Sequence, residues 1–316
     1  MLGHRLFSAG IIISVMVTLV WLDFQLGEMS SVGRYGLLLA GLAIIVSALA
    51  SGELIHMWNA NGRRLNGRLA MLAAMSMTAV ASAPVVWRDY PVDCAIGKFG
   101  WSIAGFVIAL VIVFAYEMFQ FKGSADENTP DGATLEPPGS VSIRLGHYAF
   151  CFGYLLMLVG FLASHRMVNQ SNAVGMFSII LLIATVKMSD SWAYFVGKSF
   201  GKHKLAPVLS PKKTWEGAFG AFLGAWFAGA IMFWVIGPYV FGFTGDSSLN
   251  KPLMWIAVYG FLVTLAGMMG DLAESLIKRD ANCKDSSRWL PGLGGVLDVM
   301  DSLVFATPVS YFLWVV

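Results

Sequence analysis

The sequence predicts an all-α, polytopic integral membrane protein of about nine transmembrane helices. Of its 316 residues 57% are hydrophobic and only 13% charged, with a mean hydropathy of +0.69, whereas soluble domains carry about a quarter charged residues. Apolar stretches long enough to cross about 30 Å of hydrocarbon as helices recur along the chain. The lysines and arginines between them are distributed unequally, as the two sides of a membrane require.

The first apolar run, 7–26, follows His4 and Arg5 and could begin a signal peptide or a membrane anchor. No small-x-small cleavage pattern follows at Asp23-Phe24-Gln25-Leu26, so an anchor is expected. Further spans fall near 36–56, 69–87, 101–120, 147–164, 173–189, 218–237 and 253–270, and a shorter one closes the chain at 302–316. In the stretch 218–237 and just before it, Gly217, Gly220, Gly224, Ala225 and Gly229 suit close helix packing in lipid.

With the N-terminus placed in the cytoplasm, 16 of the 21 lysines and arginines lie in inside segments and 5 outside (Arg34, Arg88, Lys98, Arg166 and Lys251). The positive-inside rule therefore orients the N-terminus and both polar segments discussed below toward the cytoplasm, in a cell (inner) membrane. A net charge of +2 excludes a nucleic-acid binder resting on bulk charge. Cys94, Cys151 and Cys283 match neither a CxxC nor a zinc spacing and read as packing residues.

Residues 122–145 are polar and rich in Pro, Gly, Ser and acids, without helical or strand period. They are expected to link an N-terminal four-helix part, 1–121, to a C-terminal five-helix catalytic part, 146–316. In the first part Glu53 and Glu117 lie inside or near spans, where function and interfacial snorkelling are both open.

Two inside segments, 187–217 and 271–301, are separated by one helical hairpin and so share a membrane face. The first contains Ser210-Pro-Lys-Lys-Thr-Trp-Glu-Gly217, preceded by Lys198, Lys202 and Lys204. Lys212 and Lys213 beside the Ser210 and Thr214 hydroxyls form a donor-rich loop suited to phosphate oxygens. Lysines that merely obey the positive-inside rule are the alternative. A P-loop is rejected, because the glycine it needs five positions before Gly197 is Trp192.

In the second segment Asp271 and Glu274 are three apart, as are Asp298 and Asp301, so on helices each pair shares a face. Carboxylates at a membrane boundary, without a thiol or histidine cluster, suit Mg²⁺. Capping of the last helix is the alternative for Asp298 and Asp301. The Pro291-Gly-Leu-Gly-Gly295 turn would let backbone approach a ligand closely.

Together these residues resemble the signature of the phosphatidate cytidylyltransferase (CDP-diacylglycerol synthase) family, in which Ser-x-x-Lys-Arg, Lys-Asp and Pro-Gly-His-Gly-Gly-x-x-Asp-Arg-x-Asp recur in order. Here the elements are Ser275, Lys278-Arg279, Lys284-Asp285, Pro291-Gly292, Gly294-Gly295, Asp298 and Asp301, and the 210–217 block is similar as well. Leu293 stands in place of the family's histidine and Val299 in place of its arginine. The resemblance implies CTP and phosphatidate as substrates, CDP-diacylglycerol and pyrophosphate as products, phospholipid biosynthesis as the setting, and Mg²⁺ with a second cation as cofactors. It implies Asp271, Asp298 and Asp301 as metal ligands, with Lys278 beside them in catalysis. Ser210, Lys212, Lys213, Thr214, Glu216, Arg279, Lys284, Asp285, Gly294 and Gly295 would bind substrate. Membrane lipids are expected partners, as is a second copy of the chain in a homodimer. A CTP-dependent lipid kinase would use a similar site but transfer the γ-phosphoryl group. A transporter would instead place ionisable residues near the bilayer midplane.

Overall fold

Apolar runs with few charges leave the backbone only itself to hydrogen-bond with, and this chain is helical almost throughout. The computed structural model describes residues 2–29, 36–87, 91, 94–123, 136–243, 253–287 and 294–315. In order the elements are α1 (Leu2–Met29), α2 (Leu37–Ala60), α3 (Gly67–Ala81), the single turn α4 (Ala83–Val86), α5 (Gly97–Gln120), α6 (Ser140–Arg166) and α7 (Asn172–Phe200). A hairpin of β1 (Lys204–Ala206) and β2 (Ser210–Thr214) follows, then α8 (Trp215–Ile231), α9 (Gly237–Phe241), α10 (Leu253–Asp280) and α11 (Val296–Val315).

The chain is a polytopic all-α membrane protein. Among the described residues seven helical stretches are long and apolar enough to cross a membrane: α2, Phe99–Gln120, α6, α7, Trp215–Phe241, α10 and α11. Of the two other expected positions, the first holds the apolar stretch Ser14–Gly27 of α1 and the second the shorter helix α3. Helix α3 stops at Ala81, short of the expected 87, because Ser82 breaks the run and Pro84 begins a new turn. The Trp215–Phe241 stretch passes through a π-helical segment, Met232–Ile236, just ahead of Gly237-Pro238, where the proline has no N–H to donate.

Local chemistry sets several helix starts. Asn66 accepts the Leu69 N–H at 3.1 Å ahead of α3, and Thr214 accepts the Gly217 N–H at 3.1 Å ahead of α8. Gly139, with φ 81°, leads into α6, so the expected linker is helical from Ser140 onward; its residues 124–135 lie outside the described residues. The short hairpin was not foreseen: its strands have three and five residues, too few to show a period.

Packing follows the small residues. A Cβ on Gly220 would lie 2.6 Å from Val196, and one on Gly224 would lie 2.8 Å from the Met188 carbonyl oxygen and 2.7 Å from the Trp192 ring, so α8 lies against α7 at glycine distance. Gly224→Leu is therefore expected to destabilise the fold by about 1–3 kcal/mol or more. Gly41→Ala, which meets nothing within 4 Å, should not. Thermal unfolding of both variants in detergent checks this. The two halves of the chain pack directly, with α6 against α2, α3 and α5, and α11 against α2. At the end of the bundle away from the hairpin, buried Arg166 of α6 donates to the carbonyl of Asn172 at 3.1 Å and pairs with buried Asp23 of α1 at 3.4 Å.

Candidate functional site

Both polar segments are largely continuations of helices. Helix α7 runs on to Phe200 and α10 to Asp280, so Asp271, Glu274 and Lys278 ride on the last turns of α10, while Asp298 and Asp301 open α11. The hairpin folds back at the foot of α7, with Lys204 opposite Thr214 and Ala206 opposite Ser210. Alternation along β2 turns Lys212 outward and Lys213 inward, where its Nζ lies 2.8 Å from Asp271 Oδ2. That ion pair joins two segments more than fifty residues apart.

A second cell is built around Lys278. Its ammonium pairs with Glu274, one turn earlier on α10, and with Asp298 Oδ1 at 2.7 Å. The Glu274 side chain is wholly buried, so Lys278 neutralises a charge that water cannot reach. Asp298 Oδ2 accepts three more hydrogen bonds, from the Ser286 N–H (2.9 Å), the Ser286 hydroxyl (2.7 Å) and the Gly295 N–H (2.7 Å).

Asp301 belongs to a different environment. Its Oδ1 accepts from the N–H and hydroxyl of Ser302, at 2.5 and 3.1 Å, and it interacts electrostatically with Asp271, Asp190 and Lys187. Lys187 reaches across from α7 to the carbonyl oxygen of Val299 at 2.9 Å. The three expected metal ligands are thus divided: Asp271 and Asp301 share one electrostatic environment, and Asp298 is turned toward Lys278 and Ser286. Equal spacing along a helix did not carry Asp298 and Asp301 to the same partners.

The remaining expected residues separate by exposure. Lys212, Arg279, Lys284 and Asp285 are exposed, and Ser210 is half-buried on β2. Two side chains expected to bind substrate are engaged by the loop itself. Thr214 is the buried cap of α8, and Glu216 accepts from the Lys202 N–H (3.1 Å), the His203 N–H (3.3 Å) and the His203 ring Nδ1 (2.7 Å). Gly294 (φ 92°) and Gly295 are needed for close approach, though to protein groups: a Cβ on Gly294 would lie 2.4 Å from Asp298 Oδ2, and one on Gly295 would lie 2.0 Å from Ser286 Oγ and 2.4 Å from Glu53 Oε2. Arg288, Pro291, Gly292 and Leu293 lie outside the described residues.

The two acids of the first half have partners that their place in the sequence does not reveal. Glu117 is buried and held by Arg144, with Nη2 to Oε2 at 2.6 Å. Glu53 of α2 is buried against the start of α11, where it takes the first backbone N–H groups of that helix. An acid inside an apolar run was the available signal, but periodicity does not say which partner it meets.

Among the described residues no three His, Cys, Asp or Glu side chains gather as a metal-ligand group. The carboxylate oxygens of Asp271 and Asp298 instead face lysine ammonium groups, so positive charge is already accommodated at both places. Mg²⁺ at phosphate-handling sites is usually held by one or two carboxylates together with substrate phosphate, and not in a cage made of protein alone.

Over residues 4–316 the chain matches the sequence profile of the cytidylyltransferase family. It is 37% identical over 187 residues to the phosphatidate cytidylyltransferase of Chlamydia muridarum, which covers 56% of this chain and 55% of that protein. The phosphatidate cytidylyltransferase of Bacillus subtilis is 34% identical over 180 residues (57% and 59%), and that of Brucella abortus 38% over 158 residues (49% and 54%). The chain thus spans just over half the length of these curated relatives.

Proposed function

This chain belongs to the cytidylyltransferase family, and we propose from that premise that it transfers the cytidylyl group of CTP to phosphatidate. A phosphate oxygen of phosphatidate attacks the α-phosphorus of CTP, the bond from that phosphorus to the α–β bridging oxygen breaks, and CDP-diacylglycerol and pyrophosphate result. The observation that carries the reading is the Lys213–Asp271 pair, which unites the 210–217 block with the 271–301 block in one place. The phosphatidate cytidylyltransferase names of the relatives support the same substrates.

Phosphoryl chemistry of this kind needs positioning and charge neutralisation and no covalent nucleophile. Exposed Lys212, Arg279 and Lys284 would bind the phosphates of CTP and phosphatidate, with Lys213 released from Asp271 to join them. Lys278 keeps Glu274 and Asp298 in place. Asp271, Asp298 and Asp301 would hold Mg²⁺, which when bound offsets charge developing on the leaving pyrophosphate. The apolar helices would take the acyl chains. Pyrophosphate release by the purified protein should require phosphatidate, CTP and Mg²⁺ together and stop on chelation; release without phosphatidate would count against the reading.

The charge asymmetry supports a site on the cytoplasmic side of the inner membrane. Ser199 is exposed at the foot of α7. Ser199→Cys in intact cells should resist an impermeant thiol reagent and react after the membrane is opened; equal labelling in both would reverse the orientation.

A further inference from the structure

Four protein groups converge on the carboxylate of Glu53. Oε1 accepts from the Val296 N–H at 2.9 Å and the Ser287 hydroxyl at 2.7 Å; Oε2 accepts from the Leu297 N–H at 2.9 Å and the Ser286 hydroxyl at 3.0 Å. Val296 and Leu297 are the first two residues of α11, whose N–H groups have no partner within the helix. A carboxylate at that end also meets the positive pole of the helix. Glu53 therefore caps α11 from a helix more than two hundred residues away in sequence.

The same contact reaches the site. Ser286 Oγ lies 3.0 Å from Glu53 Oε2 and 2.7 Å from Asp298 Oδ2, and its single proton serves one of these acceptors at a time. Gly295, whose N–H goes to Asp298, passes so close to Glu53 that a Cβ would lie 2.4 Å from Oε2. The segment carrying Ser286, Ser287, Gly295 and Asp298 is thus held between α10, through Lys278, and α2, through Glu53.

We propose that Glu53 is a positioning residue of the reaction: it fixes Asp298 and the start of α11, so that the site is incomplete without the N-terminal half of the chain. This rests on the cytidylyltransferase reading for its kinetic consequence, but not for the contact itself.

The test uses the full chain in detergent or nanodiscs and compares wild type with Glu53→Gln and Glu53→Asp. Gln preserves shape but replaces one acceptor oxygen by a donor and removes the charge. Turnover per folded molecule should fall ten- to hundredfold, roughly what one charge-assisted hydrogen bond is worth. The Mg²⁺ concentration for half-maximal rate should rise, while KM for phosphatidate should stay within about twofold if only the transition-state geometry is lost. Asp, which keeps the charge on a shorter arm, should recover part of the rate. Backbone hydrogen exchange of the peptide spanning 284–298 should quicken in Glu53→Gln. Should Glu53→Gln not accumulate as folded protein, Gly295→Ala disturbs the same contact from its other side and should give the same kinetic signature.

A variant with less folded protein but wild-type turnover and Mg²⁺ dependence per folded molecule would overturn the proposal and reduce Glu53 to a stabilising cap. Wild-type protein without any cytidylyl transfer would sink the reading of the reaction instead. In that case the exchange measurement decides for Glu53, and unchanged protection overturns it.

Discussion

Asp301→Asn and Asp271→Asn should each lower turnover by about a hundredfold or more while leaving the fold in place. For Asp301 the competing explanation is capping of α11. If it capped α11, its loss would cost about 0.5–2 kcal/mol of stability with little effect on rate per folded molecule. Two of the free N–H groups at the start of that helix, those of Val296 and Leu297, are taken by Glu53, and that of Gly295 just ahead of it by Asp298. Among the described residues Asp301 accepts hydrogen bonds from its helix neighbour Ser302. Asp271 is partly exposed, and its ion pair with Lys213 is of the kind worth about 1 kcal/mol or less to stability. What both acids have to lose is charge at the site. A metal offsetting developing charge contributes several kcal/mol to the barrier, and about 1.4 kcal/mol is tenfold in rate. Near-normal turnover and an unchanged Mg²⁺ requirement would take both acids out of the metal site. Asp298→Asn should show a rate loss and a stability loss together, because that carboxylate also holds Lys278, Ser286 and Gly295.

The second large effect is expected at Lys278. Removing one partner of a buried ion pair costs about 3–5 kcal/mol, against a total stability of about 5–15 kcal/mol for a folded domain. Lys278→Met leaves wholly buried Glu274 without its ammonium partner and Asp298 with one fewer donor. The single variant should therefore unfold far below the wild-type temperature or fail to accumulate. Lys278→Met combined with Glu274→Leu should restore much of the stability, because no charge is then stranded, but not turnover. Recovery of full activity in the pair would show that Lys278 has no part in the reaction beyond neutralising Glu274.

The fold class was legible because hydropathy marks lipid-facing helices directly: the runs at 36–56, 101–120 and 253–270 each became a helix spanning the expected stretch. Helix ends were less so, since α7 and α10 continue past their apolar parts on polar residues that periodicity alone assigns to loops. The two blocks of the site were visible as uncommon residue strings, and the structure joins them at Lys213 and Asp271. Side-chain partners were not visible. Equal spacing could not say that Asp298 turns to Lys278 of α10 while Asp301 stays with Ser302 of its own helix, because that depends on which helices stand on either side. Nor could it say that Glu53, alone in an apolar run, closes the start of a helix from the far end of the chain.

If the α-phosphorus of CTP is the atom attacked, the fate of a label distinguishes the two phosphorus positions. Purified protein is incubated with phosphatidate, Mg²⁺ and CTP carrying phosphorus-32 at either the α or the γ position, and the lipid and aqueous phases are separated. The α-label should enter the lipid as CDP-diacylglycerol while the γ-label leaves in pyrophosphate. Label from the γ position in the lipid, with CDP in the aqueous phase, would contradict it and make the protein a CTP-dependent lipid kinase.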